Sequence, residues 1–110
     1  MITSDQLKDV LERADALHRY LEIDKKKIEF EEEDLRTQAP DFWDDPKRAE
    51  EQMKKVKAIK SWIDGYNDVR THADELQLAF DFYKEEMVTE EEVDANYATA
   101  MQAIEALELK

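Results

Sequence analysis

The chain has 110 residues and a formal net charge of -13, with 41% charged and 42% hydrophobic side chains, one glycine, two prolines and no cysteine. The lack of cysteine rules out disulfides and thiolate metal sites and suits a reducing cytoplasm. The charge argues against broad contact with nucleic-acid phosphate, where lysine and arginine must displace counterions. Abundant charge with almost no glycine or proline is the balance of an all-α or coiled-coil protein, so negligible strand and one helical domain over residues 1–110 are expected.

At the start, Thr3 and Gln6 have the spacing of a capping box, and Ile2 and Leu7 that of a hydrophobic staple. From there Leu7, Ala14, Leu21, Ile28 and Leu35 recur every seventh residue, with Val10, Leu11 and Leu17 between them. This predicts one apolar face along a first helical arm. Asp24 could cap a second helix after a break near Ile23. Because the heptad phase is preserved, such a break is expected to be a kink with little change of direction.

The two prolines both lie in the segment Pro40-Asp41-Phe42-Trp43-Asp44-Asp45-Pro46. Proline is favoured in the first turn of a helix, where its missing N–H would be unpaired anyway, and Asp45 offers an N-cap oxygen. One helix therefore ends before Pro40 and the next begins at Pro46. Beyond it, Ala49, Met53, Val56, Ile59, Ile63, Tyr66, Val69, Ala73, Leu76, Phe80 and Tyr83 step by threes and fours. They predict a helix to about Glu86, on the order of 60 Å long at the α-helical rise. Gly65 falls inside this run without breaking its phase. Thr89 and Glu92 repeat the capping box, Val88 and Val93 the staple, and the last helix presents Val93, Tyr97, Ala100, Met101, Ile104 and Leu107.

The matched lengths predict an antiparallel long-helix hairpin, Leu7 near Phe80 and Ile28 near Val56, with the shorter last helix making a three-helix bundle that leaves a two-helix tip. At the tip Glu31, Glu32, Glu33 and Asp34 are expected opposite Lys54, Lys55 and Lys57. Phe42 and Trp43 are read as a plug for the hairpin's open end or, if left wet, as partner anchors. Leu78 and Phe82 lie off the main stripe; the last helix is expected to cover them, and otherwise they are the candidate docking patch.

The corner, followed by Lys47-Arg48-Ala49-Glu50-Glu51-Gln52-Met53-Lys54-Lys55 and preceded by Leu17-His18-Arg19-Tyr20-Leu21-Glu22-Ile23-Asp24-Lys25-Lys26-Lys27, resembles the N-terminal domain (domain 1) of bacterial peptide chain release factor 2, of the class I release factors. Phe42-Trp43 favours that member over its paralogue. The resemblance implies an accessory module of a factor that reads UAA and UGA and triggers peptide release. Its implied partners are ribosomal protein surface near the stalk base and the GTPase release factor 3. The family's stop-codon loop of Ser-Pro-Phe type and its Gly-Gly-Gln loop are not in this sequence, and Leu107-Glu108-Leu109-Lys110 still reads as helix. The chain is therefore expected to be a fragment of a longer protein.

No chemistry-bearing constellation competes with this reading. His18 and His72 have acidic residues three and four positions upstream, but the paired Glu-x-x-His sets of di-iron bundles and the His-Glu-x-x-His of metalloproteases are missing. Asp64-Gly65-Tyr66-Asn67-Asp68 lacks the alternating ligands of a calcium loop. With two serines, no cysteine and no glycine-rich loop, there is no activated nucleophile or oxyanion site. A non-enzymatic chain without cofactor or metal, without membrane contact and in the cytoplasm is expected. The acidity either selects protein partners or only keeps a helical surface dispersed. A free-standing acidic coiled-coil adaptor or chaperone-like protein is the alternative, and a nucleic-acid mimic rests on charge alone.

Overall fold

The computed structural model describes Met1–Lys110 and is all-α. In chain order the elements are α1 (Ser4–Tyr20), α2 (Ile23–Arg36), a single-turn 3-10 helix (Phe42–Asp44), α3 (Pro46–Lys84) and α4 (Glu90–Glu108). Internal contacts gather into two compact units, Met1–Tyr20 with Gly65–Lys110, and Leu21–Asp64.

The first unit is a three-helix bundle of α1, the second half of α3, and α4. The Thr3 N–H donates to Gln6 Oε1 at 2.8 Å and the Gln6 N–H to Thr3 Oγ1 at 3.1 Å, the reciprocal capping box that starts α1. Buried Leu7, Val10, Ala14 and Leu17 repeat at threes and fours along α1. They face a core completed by Val69, Ala73 and Leu76 of α3 and Val93, Ala100 and Ile104 of α4. Cross-helix pairs set the directions. Arg70 bonds Asp15 at 2.6 Å and the Tyr66 ring meets His18 edge-on at 5.1 Å, so α1 and α3 run antiparallel. The Ile2 N–H donates to Asp94 at 2.9 Å and Arg13 pairs with Glu108, so α1 and α4 run parallel.

Two caps close the turn from α3 to α4. Thr89 is the N-cap of α4, its hydroxyl accepting the Glu92 N–H at 3.2 Å. Glu86 takes φ 58, and the Met87 N–H reaches the Phe82 carbonyl at 2.9 Å while the Glu86 N–H reaches Tyr83 at 3.0 Å. Those two bonds are the pair of a Schellman motif, with glutamate in the left-handed position that glycine usually holds.

The second unit is an antiparallel hairpin of α2 and the first half of α3. Trp62 lies 5.9 Å below the Lys26 ammonium, and Gln52 donates to the Glu33 backbone carbonyl at 2.9 Å, which fixes the pairing. The corner is a series of tight turns, with Phe42 N–H to Ala39 O and Asp44 N–H to Asp41 O both at 3.0 Å. Asp45 then accepts the Arg48 N–H at 3.2 Å, capping α3 ahead of Pro46.

Here the heptad expectation fails. Glu22 sits at φ 50, so the break near Ile23 is a left-handed residue that re-phases the next helix; the start is set by Glu22 and not by Asp24. Ile23 is fully buried, Phe30 is half-buried and Glu33 is buried, whereas Ile28 and Leu35 are 60% and 67% exposed. On the facing helix the inward residue between Ala49 and Val56 is Gln52, and Met53 turns outward. Of the expected acid–lysine register one pair forms, Lys55 with Glu33 at 3.3 Å, while Lys54 pairs with Glu50 on its own helix.

Thr89→Ala is expected to lower stability by about 1 kcal/mol, the usual cost of a lost side-chain N-cap, read as a shift in the urea midpoint. By its helical phase alone, Gly65 predicts a gain of about 0.4 to 1 kcal/mol on replacement by alanine. A Cβ there would stand 3.0 Å from Leu107 Cδ1, a buried side chain of α4. Gly65→Ala alone should therefore gain little or lose stability. In a Leu107→Ala background, where the obstruction is gone, the same change should stabilise by about 1 kcal/mol, a non-additivity that a double-mutant cycle measures.

Candidate functional site

Leu78 and Phe82 are 51% and 37% exposed. The expected cover by α4 does not form, because the phase of α3 directs Leu76, Ala79 and Phe80 inward and leaves the i, i+4 pair Leu78 and Phe82 on the outer face. Met87, just past the end of α3, adds a side chain 66% exposed. Within α3 the remaining neighbours of Leu78 and Phe82 at three and four positions are Asp74, Glu75, Ala79 and Asp81, and Glu85 and Glu86 follow in the turn that closes the helix. Five of these six are acidic and none is basic, so this apolar pair is set in an acidic ring.

Phe42 is half-buried and Trp43 is 63% exposed, the two rings meeting edge to face at 5.1 Å. Trp43 therefore does not plug the hairpin end; it projects from the single-turn helix. Beside Phe42 lies an open cavity of about 690 Å³, its charged lining Arg36, Arg48 and Lys55 on one hand and Asp41, Asp44, Asp45 and Glu51 on the other. Its charge is mixed, in contrast to the ring around Leu78.

A polar cluster ties the lining to the helix pair beneath it. Glu33 accepts from Gln52 Nε2 at 2.9 Å and pairs with Lys55 at 3.3 Å and Arg36 at 3.7 Å. The Gln52 hydrogen bond first, then Lys55 and Arg36, hold its carboxyl below the ordinary range against the opposing effect of burial. The Glu33–Lys55 pair belongs to the expected register, whereas the burial of Glu33 and its Gln52 and Arg36 partners were not foreseen. The trace of that burial in the sequence is that Glu33 follows Ile23 and Phe30 at ten and three positions, the phase that results once Glu22 breaks the helix.

In the first unit His18, Arg19, Tyr66, Arg70 and Asp15 surround a shallow hollow. Arg70 donates to the Tyr66 hydroxyl at 2.9 Å as well as to Asp15. Burial would lower its pKa, but those two partners outweigh it and raise it. His72 lies between Asp68 at 3.2 Å and Glu75 at 3.3 Å on one helix surface. Neither histidine belongs to a group of three or more side chains able to hold a metal ion, and no helix is long and apolar enough to cross a membrane.

Because the Glu33 carboxyl is held lower in the folded chain than its ordinary value of 4.5, its contribution to stability is complete above that value and disappears as pH falls through the folded pKa. Glu33→Gln should accordingly be less stable than the parent at neutral pH, and the difference should close in acid below about 4.5. Urea melts of both proteins across that range check it; a constant difference would show that Glu33 acts by packing and not by charge.

No protein-family model matches the chain.

Proposed function

We propose that the chain is the accessory N-terminal domain of a translation release factor that directs termination at UAA and UGA codons, working in the cytoplasm on the ribosome. The observation that carries the reading is the corner Pro40-Asp41-Phe42-Trp43-Asp44-Asp45-Pro46 between two charged helices, flanked by the sequences that resemble bacterial release factor 2. In support, a net charge of -13 disfavours broad contact with RNA phosphate, and that acidity together with exposed Leu78, Phe82 and Trp43 and half-buried Phe42 suits protein contact. The partner would be basic ribosomal protein surface at the factor-binding region, with an influence on release factor 3. Codon reading and ester hydrolysis fall to other domains, since neither motif stands in these residues.

A second reading is favoured by one observation. Exposed apolar groups occur at Ile28 with Leu35, at Trp43, and at Leu78 with Phe82, which would suit an adaptor or chaperone-like holder with several clients. The two readings separate in a chimera. A bacterial release factor 2 whose own N-terminal domain is replaced by this chain should release peptide at UGA codons and respond to release factor 3 as the parent factor does. A folded chimera that behaves no better than a factor lacking the domain would reject the release-factor reading and leave the adaptor.

A further inference from the structure

Resting on the reading of Leu78 and Phe82 as a docking face, we infer that this face binds a basic amphipathic helix of a partner protein, presenting apolar residues at i and i+4 between flanking lysines or arginines. Two large apolar side chains lie one turn apart on α3, uncovered, with Met87 just beyond its closing turn. Around them Asp74, Glu75, Asp81, Glu85 and Glu86 are all exposed. Three of these acids already have partners within the chain: Asp74 with Arg70 at 3.7 Å, Glu75 with His72 at 3.3 Å and Asp81 with Gln77 at 3.1 Å. Arg70 is the cation among those partners and offsets Asp74, while Glu85 and Glu86 follow the last turn of α3.

That ring decides the occupant. A second copy of the chain would bring five acids against five, and like charges brought together on desolvation oppose the contact. Anionic lipid headgroups and nucleic-acid phosphate meet the same repulsion. A cationic protein segment is attracted, and its apolar side chains remove Leu78 and Phe82 from water. The one-turn spacing of the pair along a straight helix matches another helix laid alongside, where i and i+4 share a face, better than a strand, whose alternate residues do.

The test uses the 110-residue chain and a fluorescein-labelled synthetic helix with two leucines at i and i+4 among lysines. Controls are a scrambled peptide of the same composition and anionic lipid vesicles. Anisotropy titration should show the amphipathic helix bound at least about tenfold more tightly than the scrambled one, weakening as salt screens the ring. Leu78→Ser with Phe82→Ser should abolish that preference while leaving residual salt-sensitive attraction. Glu85→Lys with Glu86→Lys should lower affinity for both peptides. All of these positions are exposed, and circular dichroism verifies that the helices persist. Ile28→Ser with Leu35→Ser, if it retains its helices, should bind as the parent does.

Equal binding of the two peptides would mean diffuse acidity only and would overturn the inference. So would binding to vesicles, or concentration-dependent dimerisation through this face that the Leu78 and Phe82 changes remove. These outcomes are independent of the chimera: a chimera that fails beside an amphipathic preference that holds would reject the release-factor role and keep the docking face, and the reverse would reject the face alone.

Discussion

The unbroken phase of α3 is the constraint on which the rest depends. From Ala49 through Val56, Ile59, Ile63, Tyr66, Val69, Ala73, Leu76 and Phe80 its buried residues recur at threes, fours and sevens, and each compact unit takes part of its core from this helix. A helix that keeps one face buried over so many turns cannot turn its other faces inward as well. Every apolar residue off that face, Met53, Leu78 and Phe82 among them, must be covered by another helix or stay wet. The single glycine interrupts neither the hydrogen-bond ladder nor the phase, and Leu107 of α4 occupies the space its missing side chain leaves. Gly65 thus serves close packing, at a cost in helix propensity of about 1 kcal/mol.

Local signals in the sequence translated well into structure. Thr3 with Gln6, Asp45 ahead of Pro46, and Thr89 each cap the predicted helix, because a cap is decided within four residues and needs no tertiary information. The antiparallel pairing of α1 and α3, and of α2 and α3, followed from a short corner between long helices. What was not legible is the phase of α2. A non-glycine residue at positive φ has no compositional signature when it is glutamate, so the repeat of Leu21, Ile28 and Leu35 read as continuous with Leu7 and Ala14. In the folded chain Glu22 adopts φ 50, Ile23 takes the buried position, and the repeat turns to solvent.

That re-phasing also explains why a carboxylate is buried in a chain so acidic. Once Ile23 sets the inward face, the position three residues beyond Phe30 belongs to Glu33, and burial of its charge is tolerable only with partners. Gln52, Lys55 and Arg36 supply them. On the opposite helix the same demand places Gln52 inward and Met53 outward, an exchange that hydrophobicity alone would never suggest. The candidate site was legible in the same partial way. The sequence showed that Leu78 and Phe82 lie off the core face; whether α4 reaches them depends on how three helices share one face, which no local pattern contains.

An apolar pair in an acidic ring behaves differently from either feature alone. Acidity spread over a surface speeds encounter with any cation and selects weakly, because exposed charges more than about 8 Å apart are largely screened at physiological salt. Exposed apolar surface without charge selects no better and favours self-association. Combined at one place, the ring opposes like-charged copies of the chain, while the pair requires a partner to bring apolar groups at matching spacing. Selection then comes from repulsion as much as from attraction. The corner at Phe42 and Trp43 is built on the other principle, with Arg36, Arg48 and Lys55 interleaved among acids. A charged partner of either sign gains less there, so long-range steering belongs to the ring at Leu78 and Phe82, and an exposed Trp43 can act only through contact at short range.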